Sequence, residues 1–294
     1  MANQSLGFIG LGVMGEPMCG NLARKSGRAV LAFDVESEPL ARLAQAGVTA
    51  RPAAAAIMRE AEVVFMALPN GNAVRAVCEG RDGLLAAAQA GKTVIDLGTS
   101  PVGLTRELAA AFAAKGVDYA DAPVARTREA AQRGELSIMV GATEALCARI
   151  RPLLACMGSD ITHCGPVGCG QIAKILNNMV LFQNVLALAE AFAIGRRAGI
   201  DVNVLAEALS KGSADSFALR NHGRKAMLPR EFPERAFATD YAIKDLTYAL
   251  ELAAQQGLAP RGADAALAIL RETAARGYAR NYFPALLEVV DPLD

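Results

Sequence analysis

The chain is predicted to be an α/β protein, a doubly wound and mainly parallel sheet over residues 1–165 followed by an all-α domain over 166–294 that opens with a long helix. Three observations predict this. Up to about residue 165, short β-branched or apolar runs alternate with alanine-rich helical stretches, the βαβ rhythm of a parallel sheet covered on both faces. A glycine-rich turn, Gly10-Leu11-Gly12-Val13-Met14-Gly15, follows directly on the first of these runs. After Gly165-Pro166-Val167-Gly168 the strand signals stop, and from Gln171 onward the pattern is helical.

In chain order, strands are expected over 6–10, 29–34, 62–68, 93–97, 117–122, 136–141 and 161–164. In the long helix, Ile172, Ile175, Leu176, Met179, Phe182, Leu186 and Ala189 recur at mixed three and four spacing. Apolar residues occupy its other faces as well, which predicts burial nearly all round, between two domains or two subunits. Further helices follow, punctuated by Gly199, Gly212, Gly257 and Gly277 and broken by Pro229, Pro233 and Pro260.

With 294 residues, 53% of them apolar, the chain can build a sizeable core. Its formal net charge is zero and it shows no basic stripe, which excludes nucleic acid as the expected partner. Met1 to Ser5 lack the basic start and apolar run of a secretory leader, and the apolar segment 179–195 is interrupted by Gln183, Asn184 and Glu190. A soluble cytoplasmic protein without a membrane partner is expected. Its six cysteines have no framework spacing, so reduced, mostly buried thiols are expected. His163, Cys164 and Cys169 fall close together but lack a paired metal-ligand spacing, and no metal is expected. Two histidines, His163 and His222, supply a Ser-His-Asp hydrolase poorly.

The glycine turn carries specific chemistry. The first glycine permits a tight turn, the second lets the backbone approach a pyrophosphate, and the third lets helix and strand pack closely, with the helix N-terminus facing the phosphates. This is the Rossmann-type arrangement, and it predicts dinucleotide binding by Gly10, Leu11, Gly12, Val13, Met14 and Gly15. Asp34, at the end of the second expected strand, is placed to accept hydrogen bonds from ribose hydroxyls and to repel a 2′-phosphate, which favours NAD over NADP. Its alternative is a cap for a helix near Ser37.

The motif Gly7-Phe8-Ile9-Gly10-Leu11-Gly12-Val13-Met14-Gly15-Glu16-Pro17-Met18 resembles the β-hydroxyacid dehydrogenase family, whose members include 3-hydroxyisobutyrate dehydrogenase, tartronate semialdehyde reductase and sulfolactaldehyde reductase. Further stations match in order: Leu68-Pro69-Asn70, Asp96-Leu97-Gly98-Thr99, Asp121-Ala122-Pro123-Val124, Gly165-Pro166-x-Gly168-x-Gly170, Lys174-x-x-Asn177-Asn178 and Lys244-Asp245-Leu246. The resemblance spans essentially the whole chain. It implies that Leu68 and Pro69 line the cofactor path, that Thr99 contacts its nicotinamide side rather than capping the next helix, and that Lys244 closes over cofactor or substrate.

Lys174 matches the family's catalytic lysine. An ammonium there stabilises and protonates the oxygen of a carbonyl receiving hydride, and the neutral amine takes the proton in reverse. Burial beside an oxidised nicotinamide favours that neutral form. Asn178, and Asn177 beside it, lie a helical turn on and are implied to orient substrate or lysine. Phe237 is expected to serve packing.

One loop departs from the family, which mostly reads Pro-Val-Ser-Gly-Gly where this chain reads Pro123-Val124-Ala125-Arg126-Thr127. Arg126 offers paired charge-assisted hydrogen bonds to a carboxylate, sulfonate or phosphate, and Thr127 a further donor. The Arg-Thr pair resembles the sulfolactaldehyde reductase branch, although Leu181 stands where that branch offers a small polar residue. The alternative for Arg126 is a surface pair with Glu129. The expected substrate is a small anionic hydroxy acid or semialdehyde, with 3-sulfolactaldehyde the leading expectation and a carboxylate substrate of the 3-hydroxyisobutyrate or tartronate semialdehyde type, or a longer or dicarboxylic semialdehyde, the alternative. A non-catalytic NAD-binding scaffold would have no need of Lys174 with Asn178. The resemblance also implies a homodimer or homotetramer around the long helix and an active cleft between the domains.

Overall fold

The computed structural model describes residues 5–234 and 236–293, so Met1 to Gln4, on which the reading of the leader rests, lie outside the described residues. The strands are β1 (Ser5–Ile9), β2 (Val30–Phe33), β3 (Thr49–Ala50), β4 (Ala61–Met66), β5 (Thr93–Asp96), β6 (Asp118–Asp121), β7 (Val124–Ala125), β8 (Leu136–Gly141) and β9 (Gly158–Gly165). They form one sheet in the order β3-β2-β1-β4-β5-β6-β8-β7, with β9 paired to β8. Pairing is parallel from β3 through β6, β8 runs antiparallel to β6 and β7, and β9 is parallel to β8.

The seven expected strands are present, with ends displaced by a few residues. β3 and β7, not expected, are two residues each. Two residues carry no periodicity, and only their pairing partners make them strands.

The helices of this part are α1 (Gly15–Lys25), α2 (Ser37–Ala44), α3 (Ala54–Glu60), α4 (Gly71–Glu79), α5 (Val102–Ala113), α6 (Arg128–Arg133) and α7 (Glu144–Leu154). They cover both faces. One apolar cluster joins Phe8 and Phe65 of the sheet to Met18 and Leu22 of α1, Leu43 of α2, Ala131 of α6 and Ile150 of α7. The other joins Ile9, Val64 and Val94 to Ile57 of α3, Val74 of α4 and Leu108 and Phe112 of α5. A central parallel sheet must be buried on both sides, which is why its strands read as continuous apolar runs rather than alternating ones.

The long helix, α8 (Cys169–Arg197), follows. Gly199, at φ 90°, takes the left-handed conformation just beyond its end, and Asp201 accepts from the backbone of Asn203 and Val204 to cap α9 (Val202–Lys211). Then come α10 (Thr239–Gln255), α11 (Arg261–Thr273) and α12 (Leu287–Val290), with tighter or wider turns at Leu219–Met227, Ala274–Tyr278 and Phe283–Leu286. The core here is aromatic: Phe182, Phe237 and Phe283 meet edge to face with ring centroids 5.1–5.7 Å apart, so Phe237 packs.

The chain divides into two compact units between Lys174 and Ile175, inside α8. Within one chain α8 is not covered on every side, so the burial expected between two domains or two subunits is not completed by this chain itself. Leu176, Asn177, Val180, Asn184, Ala187, Glu190 and Ile194 are exposed along one side, because the single chain supplies neighbours for the remaining faces only. Among the described residues α8 is the one helix long and apolar enough to cross a membrane.

Candidate active site

The glycine turn joins β1 to α1, and each glycine does something different there. Gly10 has φ 89°, and a Cβ on it would lie 2.4 Å from the Ala67 carbonyl oxygen. A Cβ on Gly15 would lie 2.0 Å from the Gly10 carbonyl oxygen. Both are demanded by the protein's own backbone. At Gly12 a Cβ would meet nothing within 4 Å, so the protein leaves open space there for close approach to a ligand. The N-cap of α1, Met14, makes no side-chain cap bond. A helix start without a side-chain acceptor, beside open space at a glycine, could accept the phosphates of a dinucleotide.

Asp34 sits one residue past β2. Its carboxylate accepts from the Leu11 backbone amide of the turn and, at 2.8 Å, from the backbone of Glu36. Asp34 does not cap α2, whose N-cap is Glu36 with no side-chain cap bond; its carboxylate ties the amide of Leu11 in the glycine turn to that of Glu36 just before the helix. Leu68 and Pro69 follow β4 at the carboxyl edge of the sheet, and Asn70 caps α4 by accepting from Ala73 at 2.9 Å. Thr99 is half-buried in the loop after β5. The N-cap of α5 is Pro101 and makes no side-chain bond, so Thr99 does not cap that helix.

Buried polar residues that sequence reasoning left without a role surround this loop. Asp96, at the end of β5, accepts from the Gly98 amide at 2.9 Å and from the Ser100 hydroxyl at 2.8 Å. Gln171 accepts from the Ser100 amide at 3.0 Å and donates to the Gly98 carbonyl at 2.9 Å. Asp121, at the end of β6, accepts from the amides of Gly168 and Gln171, both at 2.7 Å. Burial pushes the Asp121 carboxyl above its ordinary value, opposed by those backbone donors. The available signal was two aspartates ending otherwise apolar strands.

Lys174 lies on α8, three residues after Gln171, and is only 8% exposed. Asn178, one helical turn further along, is buried; its side-chain amide donates to Asp245 of α10 at 2.7 Å, and its oxygen accepts from Asn177 at 3.1 Å. Asp245 also pairs with Lys244 at 3.0 Å. The Lys244 ammonium lies 5.8 Å and 5.3 Å from the ring centroids of Tyr241 and Tyr248. Lys244 is thus held by its own helix. Asp245, which the sequence reading gave no role, is what ties Asn178 to it.

The loop that departs from the family is held differently from its expectation. Arg126 has φ 89°, a left-handed position for a residue with a side chain. Its guanidinium donates to the Glu135 carbonyl at 2.6 Å, to Ser159 at 3.0 Å and to Asp160 at 2.7 Å. Three acceptors at the starts of β8 and β9 engage the charge expected to grip a substrate acid group, and the surface pair is with Asp160 rather than Glu129. Thr127 caps α6, accepting from Ala130 at 3.4 Å. His163 Nε2 bonds the Ala142 carbonyl at 2.8 Å.

A dinucleotide turn with an acidic residue at its rim, and a buried lysine at the head of a long helix, define a nicotinamide-dependent dehydrogenase. Residues 5–165 match the NAD binding domain of 6-phosphogluconate dehydrogenase, and residues 168–290 match the NAD-binding domain described for NADP-dependent 3-hydroxyisobutyrate dehydrogenase. The chain is 36% identical over 285 residues to 2-(hydroxymethyl)glutarate dehydrogenase of Eubacterium barkeri, covering 97% of this chain and 94% of that one. It is 37% identical over 264 residues to 3-hydroxyisobutyrate dehydrogenase of Pseudomonas aeruginosa, covering 88% of each. The solved structure of Mycobacterium tuberculosis 3-hydroxyisobutyrate dehydrogenase with L-serine superposes with a TM-score of 0.89 at 32% identity, covering 98% of this chain and 99% of that one. The chain belongs to the β-hydroxyacid dehydrogenase family, the oxidoreductases that act on CH–OH groups with an NAD-type cofactor.

Proposed function

We propose that the protein interconverts a short carboxylate-bearing hydroxy acid and its semialdehyde, using NAD rather than NADP, with Lys174 as general acid and base. The observation that carries this is Lys174 itself: a lysine 8% exposed, one turn before a buried asparagine, on the helix that follows a dinucleotide-binding sheet. Bound NAD supplies the hydride acceptor, and NADH the donor. In oxidation the neutral Lys174 amine takes the hydroxyl proton as the carbinol hydrogen leaves; in reduction the ammonium returns it to the developing alkoxide.

In this reading Gly10, Leu11, Gly12, Val13, Met14 and Gly15 hold the pyrophosphate, and Asp34 meets the ribose and disfavours a 2′-phosphate. Leu68, Pro69 and Thr99 border the cofactor. Asn178 orients the substrate oxygen and the lysine, Asn177 stands beside it, and Lys244 lies over the bound ligands.

A carboxylate is favoured over a sulfonate because the Arg126 guanidinium is already taken by Asp160, Ser159 and Glu135. The names of the relatives from Eubacterium barkeri and Pseudomonas aeruginosa are those of carboxylic acids. Sulfolactaldehyde reduction, suggested by the Arg126-Thr127 pair, is the second reading. The six cysteines stand as free thiols, which favours a reducing compartment, the cytoplasm. The exposed Leu176, Val180 and Ile194 of α8 favour a homo-oligomer, which light scattering on the purified chain reads.

The test follows NADH consumption against short semialdehydes carrying a carboxylate, a sulfonate or a phosphate, with NADPH in parallel. Fast NADH-dependent turnover of a carboxylate is expected, and preference for the sulfonate would move the protein to the second reading. Lys174→Ala is expected to cut turnover to a small residual rate while leaving NAD binding nearly intact. Loss of NAD binding together with activity would make Lys174 structural, and no turnover of any semialdehyde by the wild-type protein would favour a non-catalytic scaffold.

A further inference from the structure

We propose that Asp121 and Gln171 are positioning residues for Lys174, forming a buried clamp that fixes the first turn of α8 to the ends of β5 and β6. The inference rests on the reading of Lys174 as the acid and base.

Among the other described helices, α1, α2, α3, α5, α10, α11 and α12 have no side-chain cap bond, and where a side chain does cap, it is local. α4, α6, α7 and α9 are capped by the residue next to them, Asn70, Thr127, Thr143 and Asp201. The amides at the start of α8 are taken by a carboxylate 47 and 50 positions away in sequence, at the end of a different strand. A helix start needs acceptors, and its dipole favours an anion. A local side chain would satisfy both. A distant one also fixes where the helix begins relative to the sheet.

The surroundings are shaped to this carboxylate. A Cβ on Gly141 would lie 2.4 Å from Asp121 Oδ1, and one on Gly170 would lie 2.8 Å from Oδ2. Asp121 is wholly buried, and a carboxylate in that setting is costly unless its oxygens accept hydrogen bonds; the amides of Gly168 and Gln171 provide them. The Gln171 side chain, equally buried, then reaches the Gly98 carbonyl and the Ser100 amide. Asp96 holds the same loop from the other side. Two strand-end aspartates and one glutamine thus lock the loop that carries Thr99 to the turn that precedes Lys174. An α-helix is stiff over three residues, so the lysine inherits that placement.

The experiment compares Asp121→Asn, Gln171→Ala and Gln171→Glu with the wild-type enzyme in the preferred semialdehyde assay, each also made in the Lys174→Ala background. Asn at 121 turns one acceptor into a donor facing an amide. Glu at 171 keeps the acceptor for Ser100 but loses the donor for Gly98. We expect kcat of Asp121→Asn and Gln171→Ala to fall on the order of 100-fold, as for a displaced catalytic group. KM and the NAD dissociation constant should stay near wild type, and Gln171→Glu should fall between. In the Lys174→Ala background the same changes should leave the residual rate unaltered, because a residue that acts through the lysine has nothing left to act on.

Unchanged kcat in the singles, or an undiminished loss in the Lys174→Ala background, would overturn the clamp. Full activity of Lys174→Ala alone would instead overturn the reading of the lysine, so the two failures are distinguishable. Should Asp121→Asn fail to fold, the Gln171 pair, which leaves the carboxylate in place, carries the test.

Discussion

Gly12 and Gly15 are both glycines of one turn, yet the structure separates what they are for. A methyl group at Gly15 would collide with the Gly10 carbonyl oxygen at 2.0 Å, whereas one at Gly12 would meet nothing within 4 Å. Gly15→Ala is therefore expected to lower the melting temperature or prevent folding. Gly12→Ala should melt within a few degrees of wild type, roughly the shift of a change under 1 kcal/mol, while binding NAD much more weakly. Calorimetric titration with NAD and a thermal melt of both variants check this; tight NAD binding by Gly12→Ala would remove the cradle argument. Placement at the residue scale was legible in sequence where a residue type is intrinsically rare for its post, as with these glycines at the strand-to-helix turn. The surface pair read for Arg126 with Glu129 was wrong in its partner, because the side chain finds Asp160 and Ser159 on a strand that sequence spacing does not bring near it.

At the scale of elements, α8 is held at both ends by carboxylates from elsewhere in the chain. At its carboxyl end, Asp291, 2% exposed, receives Arg196 at 2.5 and 2.8 Å and Arg230 at 3.3 Å. Arg230 itself sits at φ 52° and pairs with Glu288 at 2.8 Å. Removing a buried partner strands its counter-ions, and because these arginines are partly exposed we expect Asp291→Ala to cost about 2–3 kcal/mol, somewhat less than the roughly 3–5 kcal/mol of a fully buried pair. Urea unfolding reads it as a lower midpoint at unchanged slope. A midpoint equal to wild type would show the network to be ornamental. The existence of α8 was visible in its apolar periodicity, but its exposed side was not: Leu176 was read among its apolar residues, yet it stands exposed with Val180 and Ile194 in the single chain.

For the molecule as a whole, acid tolerance is set partly by His222. Burial lowers its pKa to about 4, with Nδ1 bonded to the Tyr282 hydroxyl at 2.5 Å and the ring against Phe283. The unfolded chain takes up this proton below the ordinary value of about 6.5, while the folded protein refuses it until about 4. Stability therefore falls as pH drops through that window and is unaffected by this group above it. His222→Gln should flatten the decline of the urea midpoint between pH 6.5 and 4.5 relative to wild type; parallel declines in the two proteins would rule His222 out as the cause.

Sequence alone determined the doubly wound sheet followed by helices, the dinucleotide turn, the acidic rim at Asp34 and the lysine at the head of the long helix. These depend on local periodicity, on backbone conformations that favour glycine, and on residue types with few substitutes, all of which are written along the chain. Only the tertiary structure decided that Asp121 and Gln171 hold the start of α8, that Asp245 ties Asn178 to Lys244, and that Arg126 pairs with Asp160. Each of these rests on a polar group satisfied by a partner the fold brings from far along the chain. A buried or half-buried donor must find its acceptor wherever the packing puts one, and that choice belongs to the three-dimensional arrangement rather than to spacing in the sequence.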